Sequence, residues 1–389
     1  MSSPPAPEES PAAPTDKQQS ILDFVNLFAA GPQQGSDSWL EARRYTIGGS
    51  EMATIVGANR FSSLADLIRG KVLGLRLSDI KMNWGKLFEP VVAAMVERQY
   101  GCKIYGENMF IAQPESPQSY SPDGLALIDG KVTLLEFKCP FNRLIKTGYL
   151  PDYYMPQILA GLCTIAPLTE RALYCEAMIR LCSLGDLDFN PRYNKALWPG
   201  DLKNTLYTPS LIGCLLLDCA ASASASSPRD WGAYVTAYTA QEFVDFVAQV
   251  VAAGTEPQFM LAGSAEELSA LLEQIPGTKA APAVHVLPFK ILNTQSLFVE
   301  PKPDYLAEHL PLIKATTSEI KRLRLLHEAG VPVDSAILEA ASQLTSQFLA
   351  GPEAETAAPP LGNNDAVIRT PSRVEAMRKR IAEAAAKRL

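Results

Sequence analysis

The 389-residue sequence lacks the features of a membrane or exported protein. It contains no uninterrupted apolar run long enough to span a membrane, and its first residues lack the basic-then-apolar layout of a signal peptide. We therefore expect a soluble, intracellular protein with no membrane partner. Two glycine-rich nucleotide-binding patterns, GxxxxGK[ST] and GxGxxG, are also absent, which leaves no case for an attached helicase or ATPase.

Closely spaced cysteines, which would indicate a metal site, are missing too. The chain has seven cysteines and no CxxC motif, and most of them lie in apolar surroundings, where a free thiol behaves as a small hydrophobe. The sequence thus predicts neither disulfides nor a zinc or iron–sulfur site. The three histidines have no ligand spacing, so surface or packing roles are expected for them.

An overall excess of basic residues is absent as well, since the net charge is -7. Phosphate contacts need Lys and Arg, so this sum argues weakly against a nucleic-acid partner. The distribution differs from the sum. Trp39–Lys86 has eight basic and four acidic residues, and Ile368–Leu389 has seven basic and two acidic ones. An acidic chain with such patches can still hold DNA locally, so the net charge excludes nothing.

Composition and periodicity divide the chain into four regions. Residues 1–17, rich in Pro, Ser and Glu, are predicted to be disordered. Residues 18–255 carry both helix and strand patterns and are predicted to be an α/β domain. Residues 256–350 are predicted to be a helical extension, and residues 351–389 a linker followed by a basic helix.

Within the α/β region, apolar residues at helical spacing predict a helix over Leu87–Tyr100. Pro90 is expected in the first turn of that helix, where its missing N–H is not needed. Strands are predicted over Leu125–Ile128 and Val132–Lys138, joined by a turn at Asp129-Gly130.

Charged side chains surround these two strands. Ser121-Pro122-Asp123-Gly124 has Pro and Gly at β-turn positions, which would hold Asp123 at the mouth of a strand. Alternate side chains of a strand share a face, so Glu136 and Lys138 should point the same way and Phe137 the opposite way. Taken singly, these motifs have ordinary alternatives, an Asp turn and a salt-bridged pair on a half-exposed strand. Together they form the PD…ExK pattern of restriction-like nucleases.

This pattern suits phosphodiester hydrolysis. Two carboxylates can hold one or two hard divalent cations, Mg²⁺ or Mn²⁺. The metal polarises the phosphate and lowers the pKa of a bound water, so that hydroxide is available near neutral pH. The lysine orients that water or offsets the charge that develops on the phosphoryl oxygens.

Four blocks of residues stand in order around the pattern. They are Trp39-Leu-Glu-Ala-Arg43 with Ile47-Gly48-Gly49-Ser50-Glu51, Trp84-Gly85-Lys86-Leu87-Phe88-Glu89, Ser121-Pro122-Asp123-Gly124-Leu125 with Glu136-Phe137-Lys138-Cys139-Pro140, and Tyr154-Met155-Pro156-Gln157. With these blocks the chain resembles the lambda-exonuclease/YqaJ-type viral alkaline nucleases from about Trp39 to Ala253. The resemblance implies a restriction-endonuclease-like core, a mixed central sheet flanked by helices.

The resemblance also implies a metal site. Asp123 and Glu136 would bind the metal, with the backbone carbonyl of Phe137 as a further ligand. Glu89 would hold a second metal directly or through water, and Lys138 would be the catalytic lysine. For Glu89 alone, a solvated helix residue is the ordinary alternative.

Three further residues receive roles from the resemblance. Gln157 would orient the nucleophilic water or a metal ligand, and its alternative is a helix-surface amide. Arg43 and Ser50 would bind a 5′-terminal phosphate, since a guanidinium fork matches phosphate oxygens and a hydroxyl beside Gly-rich backbone can complete the cradle. The alternatives are a salt bridge for Arg43 and a helix N-cap for Ser50, and both roles can hold together.

The predicted activity is 5′-to-3′ digestion of double-stranded DNA from an end. It would leave 5′-mononucleotides and a single strand for recombination, repair or genome processing. An endonuclease, a dual-activity alkaline nuclease and a non-catalytic DNA-binding scaffold stay open as alternatives. The expected partners are double-stranded DNA ends and a single-strand annealing protein, and a homo-oligomer is left open. A viral protein of this kind would act in the host cytoplasm or nucleus.

Overall fold

The computed structural model describes most of the chain from residue 14 onward. The described residues are 14–32, 34–75, 80–107, 109–112, 116–141, 143–182, 186–189, 192–193, 206–207, 209–218, 245, 247, 257–274 and 284–349. The predicted disordered start over residues 1–17 lies outside the described residues up to residue 13. At its end the prediction is wrong, because a capping box of Thr15 and Gln18 begins a helix at Asp16. The predicted linker and basic helix over residues 351–389 lie outside the described residues.

The described residues contain both helices and strands. The helices are α1 (Asp16–Phe28), α2 (Asp37–Arg44), α3 (Met52–Ile55), α4 (Leu64–Leu73), α5 (Ile80–Tyr100), α6 (Met155–Thr164), α7 (Ala265–Gln274), α8 (Tyr305–Glu328) and α9 (Asp334–Phe348). The strands are β1 (Ile47–Gly48), β2 (Ile104–Tyr105), β3 (Ile111–Ala112), β4 (Gln118–Tyr120), β5 (Gly124–Ile128), β6 (Lys131–Lys138), β7 (Arg171–Leu181), β8 (Arg192–Tyr193), β9 (Leu206–Tyr207), β10 (Leu211–Asp218), β11 (Gln258–Ala262) and β12 (Val284–Val299).

The central sheet has seven strands in the order β11-β10-β12-β7-β6-β5-β2. Among these described strands only the β6–β7 pair is parallel, and α6 lies between the two in the chain, because a parallel pair needs a crossover connection. A smaller sheet, β1-β4-β3, lies apart from it. The predicted α/β class, with a mixed central sheet flanked by helices, is confirmed.

Both faces of the central sheet are covered. On one face α5 packs Trp84, Phe88 and Val92 against side chains that include Leu135 and Phe137 of β6. On the other face, α1 and α6 pack against a set that includes Leu134. Alternate residues of β6 thus belong to opposite layers, as the pleat of a strand requires.

The hairpin between β5 and β6 turns where the sequence predicts it. Asp129 and Gly130 have φ values of 50° and 70°, the left-handed conformation that a two-residue hairpin turn needs. The register pairs Ile128 with Lys131 and Gly124 with Leu135. This register brings the start of β5, next to Asp123, beside the end of β6.

The helix α5 differs from its prediction. It begins at Ile80 rather than Leu87, and Pro90 lies in its interior instead of its first turn. An interior proline removes one backbone hydrogen bond and normally kinks or ends a helix. Here the residues before and after the proline, such as Phe88 and Val91, are fully buried against the sheet, and this packing outweighs the local penalty.

The region predicted as a helical extension, residues 256–350, is only partly helical. It contains α7, α8 and α9, but also β11 and the 16-residue β12. Strand β12 pairs with β10 on one side and β7 on the other. The central sheet is therefore incomplete without this region. The helices α8 and α9 pack their apolar residues against α3 and α4.

The described residues up to Leu349 belong to one compact unit. Among the described helices, none combines the length and the apolar character required to cross a membrane.

Candidate active site

A cavity of about 920 Å³ lies where α5 and α6, from opposite faces of the sheet, reach the adjoining ends of β5 and β6. Most of the predicted site residues line it, namely Arg43, Ser50, Glu89, Asp123, Phe137, Lys138 and Gln157. The remaining one, Glu136, is fully buried and bonds to three lining residues, Tyr120, Lys138 and Gln157. The structure therefore brings the whole predicted set together.

The Glu136 carboxylate accepts three hydrogen bonds. Its Oε2 accepts a hydrogen bond from the Tyr120 hydroxyl at 2.8 Å, and its Oε1 accepts from the Lys138 ammonium and from the Gln157 amide. Burial raises the pKa of Glu136 to about 7, against the opposing charge of Lys138. Gln157 can reach Glu136 because α6 begins just before it, with Pro156 in its first turn.

Lys138 lies between several acceptors. Its ammonium also donates to the Phe137 carbonyl at 2.9 Å and lies 5.3 Å from the centre of the Tyr154 ring. Burial alone would lower the pKa of Lys138, but the carboxylates of Glu136 and Asp123 outweigh it and raise the pKa above its ordinary value. This lysine therefore carries a firmly held positive charge at the cavity wall.

Asp123 and Glu89 form a carboxyl pair beside Lys138. Their side chains share a hydrogen bond, and the Phe137 backbone N–H donates to Asp123 at 2.5 Å. Burial, and then the neighbouring charge of Glu89, raises the pKa of Asp123 well above its ordinary value. Burial likewise raises the pKa of Glu89. Two carboxyl groups this close cannot both ionise cheaply without a positive charge between them.

The donor set suits a hard cation in its chemistry. Glu89, Asp123, Glu136 and the Phe137 carbonyl offer only oxygen atoms, which Mg²⁺ prefers. In the described part of the chain, however, no three Asp, Glu, His or Cys side chains converge as a metal-binding group. Asp123 and Glu89 face each other, whereas the oxygens of Glu136 accept hydrogen bonds from Tyr120, Lys138 and Gln157.

Arg43 and Ser50 meet at another part of the cavity wall. The Arg43 guanidinium donates to the Ser50 hydroxyl at 3.2 Å and to Glu51 at 3.2 Å, and it lies 4.6 Å from the centre of the Trp39 ring. The salt-bridge alternative for Arg43 is therefore confirmed. Its role in phosphate binding stays a prediction. Ser50 is not a helix N-cap, because the N-cap of the 3-10 turn Gly49–Glu51 is Gly48. The backbone N–H of Gly48 donates to the Glu51 carboxylate at 2.7 Å.

Lys71 supports this arrangement and has no role in the sequence analysis. It is only 7% exposed, and its ammonium lies 2.7 Å from the Glu51 carboxylate. It also donates to the backbone carbonyls of Arg43 and Thr46, at 2.6 and 2.7 Å. Burial would raise the pKa of Glu51, but the charges of Lys71 and Arg43 hold it below its ordinary value. The ion pair between Glu51 and Lys71 thus fixes the backbone that carries Arg43.

A second ionic contact at the cavity, Arg143–Glu176, is also missing from the sequence analysis. The fully buried Glu176 accepts from the guanidinium of the cavity-lining Arg143, from the Tyr174 hydroxyl at 2.8 Å and from the Gln295 amide at 2.5 Å. Its register partner on the neighbouring strand is Lys138. A single Glu inside the apolar β7 sequence was the available signal.

The region that contains this site is similar to known proteins. A model of the YqaJ-like viral recombinase domain matches residues 38–169, a range that includes every predicted site residue. A protein of African swine fever virus, matched in both a Malawi tick isolate and the Badajoz strain, is 30% identical over 239 residues. The match covers 54% of this chain and 67% of the viral protein. The chain belongs to the YqaJ-like viral recombinase family.

Two solved structures show a weaker likeness to this family member. An alkaline exonuclease, LHK-Exo, from Laribacter hongkongensis is 24% identical with a TM-score of 0.31, covering 36% of this chain and 73% of that one. LHK-Exo in complex with dAMP is 21% identical with a TM-score of 0.30, covering 56% and 93%. TM-scores this low establish nothing about the present chain.

Proposed function

We propose that the chain is a metal-dependent exodeoxyribonuclease that hydrolyses DNA phosphodiesters 5′ to 3′ from double-stranded ends. The observation that carries the proposal is that Asp123 and Lys138 line one cavity with Arg43 and Ser50. The buried Glu136 lies directly behind Lys138 and accepts a hydrogen bond from it. Membership of the YqaJ-like viral recombinase family supports a nuclease acting on DNA. The single strand that digestion leaves would serve recombination, repair or genome processing.

Glu89, Asp123, Glu136 and the Phe137 carbonyl would hold Mg²⁺ or Mn²⁺. When bound, the cation polarises the phosphate and supplies a water of lowered pKa. The close pair of Asp123 and Glu89 supports this assignment, because a cation between the two carboxyl groups would let both of them ionise.

The other side chains act on the substrate and its attacking water. Lys138 offsets charge on the phosphoryl oxygens as they crowd in the transition state, and its buried ion pair with Glu136 keeps the ammonium in place. Gln157, bonded to the same carboxylate, orients the attacking water. Arg43 and Ser50 hold the terminal 5′-phosphate, so that the bond one nucleotide further lies at Lys138.

Cutting of linear and closed circular duplex DNA, with Mg²⁺ or with EDTA, tests the activity. We expect linear DNA alone to be cut, only with metal, and Lys138→Ala to lower the rate by about 10²- to 10⁴-fold. Lys321→Ala, at an exposed lysine of α8, is the matched control and should cut normally. Cutting of circles would favour an endonuclease, and absence of cutting would favour a scaffold and overturn the proposal. Cutting that continues in EDTA would overturn the metal-dependent mechanism.

The direction of digestion has its own test. Duplexes with a 5′-phosphate or a 5′-hydroxyl are compared as substrates for the wild type and for Arg43→Ala. The wild type should prefer the phosphate, and the variant should lose that preference while still cutting slowly. If Arg43→Ala keeps the full preference, the assignment of Arg43 to the 5′ end is wrong.

A further inference from the structure

An exposed aromatic ring, Phe61, stands at the rim of the cavity. Its residue is 70% exposed, yet its ring packs edge-on against Tyr153, with ring centres 5.4 Å apart and planes 81° apart. Single exposed apolar residues are common and need no explanation. A pair of rings at the mouth of a polar cavity, with one ring largely open to solvent, is a surface on which a flat ligand can stack.

A positive charge accompanies the two rings. The Arg60 guanidinium lies 4.9 Å from the centre of the Phe61 ring and 5.3 Å from that of Tyr153. Arg60 is itself exposed and lines the same cavity. Aromatic faces next to a guanidinium match the two chemical parts of a nucleotide, the π-face of its base and the charge of its phosphate.

The segment that carries Phe61 is held in place. The Asn59 amide donates to the Thr54 hydroxyl at 2.8 Å, and the side-chain carbonyl oxygen of Asn59 accepts from the Phe61 backbone N–H at 2.9 Å. Two residues later Ser63 and Asp66 form the capping box that begins α4. The exposed ring is thus fixed on both sides, which lowers the entropy lost when a ligand binds.

The rings connect the rim to the reacting centre. Tyr153 and Tyr154 have ring centres 4.5 Å apart, and the Lys138 ammonium lies 5.3 Å from the Tyr154 ring. Lys138, Tyr154, Tyr153 and Phe61 therefore form a continuous series of contacts. A base on Phe61 would belong to a nucleotide near the phosphate held at Lys138.

We propose that Phe61 and Tyr153, with Arg60, form a stacking site for one DNA base close to the scissile phosphate. The proposal rests on the proposed function, because it takes the strand under digestion as the ligand. It assigns Phe61 a role in substrate binding that the family motifs do not include.

Binding in EDTA tests the stacking site without cutting. A fluorescently labelled 5′-phosphorylated duplex is titrated by anisotropy with wild type and Phe61→Ala, using a series of duplexes with one abasic site at successive positions from the 5′ end. Phe61→Ala should weaken binding of intact DNA by about 5- to 150-fold, the range for one stacked base. At one abasic position the wild type should lose the same factor and the variant nothing further.

Two control variants separate stacking from a change in folding. Phe61→Trp keeps a larger π-face and should restore binding. Leu27→Ala removes an apolar side chain that is 76% exposed on α1, and it should bind like the wild type. Equal affinities of wild type and Phe61→Ala across the abasic series, with normal cutting, would refute the stacking site and leave the proposed function standing. Absence of both binding and cutting in the wild type would refute the proposed function as well.

Discussion

Buried charged side chains stabilise the backbone of the candidate site. The ammonium of Lys71 is almost out of solvent and bonds to the Glu51 carboxylate and to two backbone carbonyls. Burial lowers the pKa of Lys71 despite the attraction of Glu51. Each charge of such a pair is costly without the other, so removing one partner leaves an uncompensated buried charge.

Lys71→Met should therefore lower the free energy of unfolding by about 3–5 kcal/mol, because it leaves Glu51 buried beside Arg43 alone. Urea denaturation followed by circular dichroism measures the change. The double variant Lys71→Met/Glu51→Gln should recover part of the loss, since it removes both charges. Lys321→Met, on the exposed surface of α8, should change stability by no more than about 0.5 kcal/mol. A single variant as stable as the wild type would contradict this view of the pair.

Close approach between elements depends on two glycines. The Tyr120 ring lies between the 3-10 turn Gly49–Glu51 and helix α6, and its hydroxyl donates to Glu136. A Cβ atom at Gly49 or at Gly161 of α6 would overlap that ring. Neither backbone segment can therefore carry a side chain there while Tyr120 keeps its bond to the Glu136 carboxylate.

Gly161→Ala is expected to lower the free energy of unfolding by about 1–3 kcal/mol through overpacking. It should also lower nuclease activity, because Tyr120 must move away from Glu136. Gly70→Ala is the matched control. Gly70 lies in α4 with open space around a Cβ, so the alanine should stabilise the helix by about 0.5–1 kcal/mol. Guanidinium denaturation and rate measurements on both variants check these changes, and a stabilised, fully active Gly161→Ala would show that the ring is free to move.

At the scale of the whole molecule, a strand from the last third of the chain, β12, lies in the middle of the central sheet. Strand β12 lies between β10 and β7, and β7 carries Glu176 next to β6, the strand of Glu136 and Lys138. The buried faces of α3 and α4 are covered by α8 and α9. Helix α4 carries Lys71, which donates a hydrogen bond to the Arg43 carbonyl. The candidate site thus depends on residues more than a hundred positions away from it in the chain.

A fragment of residues 18–255, the predicted nuclease domain, should therefore fail to fold, because β7 would lose one neighbouring strand and β10 both of its neighbours. Thermal melting followed by circular dichroism compares it with the full chain, which should melt cooperatively. A cooperative transition in the fragment would show that β12 is dispensable.

The sequence by itself determined the local parts of the site. A turn at Asp123, the shared face of Glu136 and Lys138, and the tight hairpin at Asp129-Gly130 all follow from rules that act over a few residues. The structure confirms the hairpin and the shared face of Glu136 and Lys138, whereas Asp123 lies in a bend directly before β5. The family blocks identified the remaining site residues, which line the same cavity.

Only the tertiary structure decided which distant residues complete the site. The partners Lys71 for Glu51 and Arg143 for Glu176, the interior position of Pro90 and the place of β12 depend on packing between elements far apart in the chain. Local sequence patterns do not specify which distant residues come into contact. Burial can also override helix propensity, as it does at Pro90. The chemistry of this protein is therefore determined by short stretches of sequence, while its geometry is set by the whole sheet.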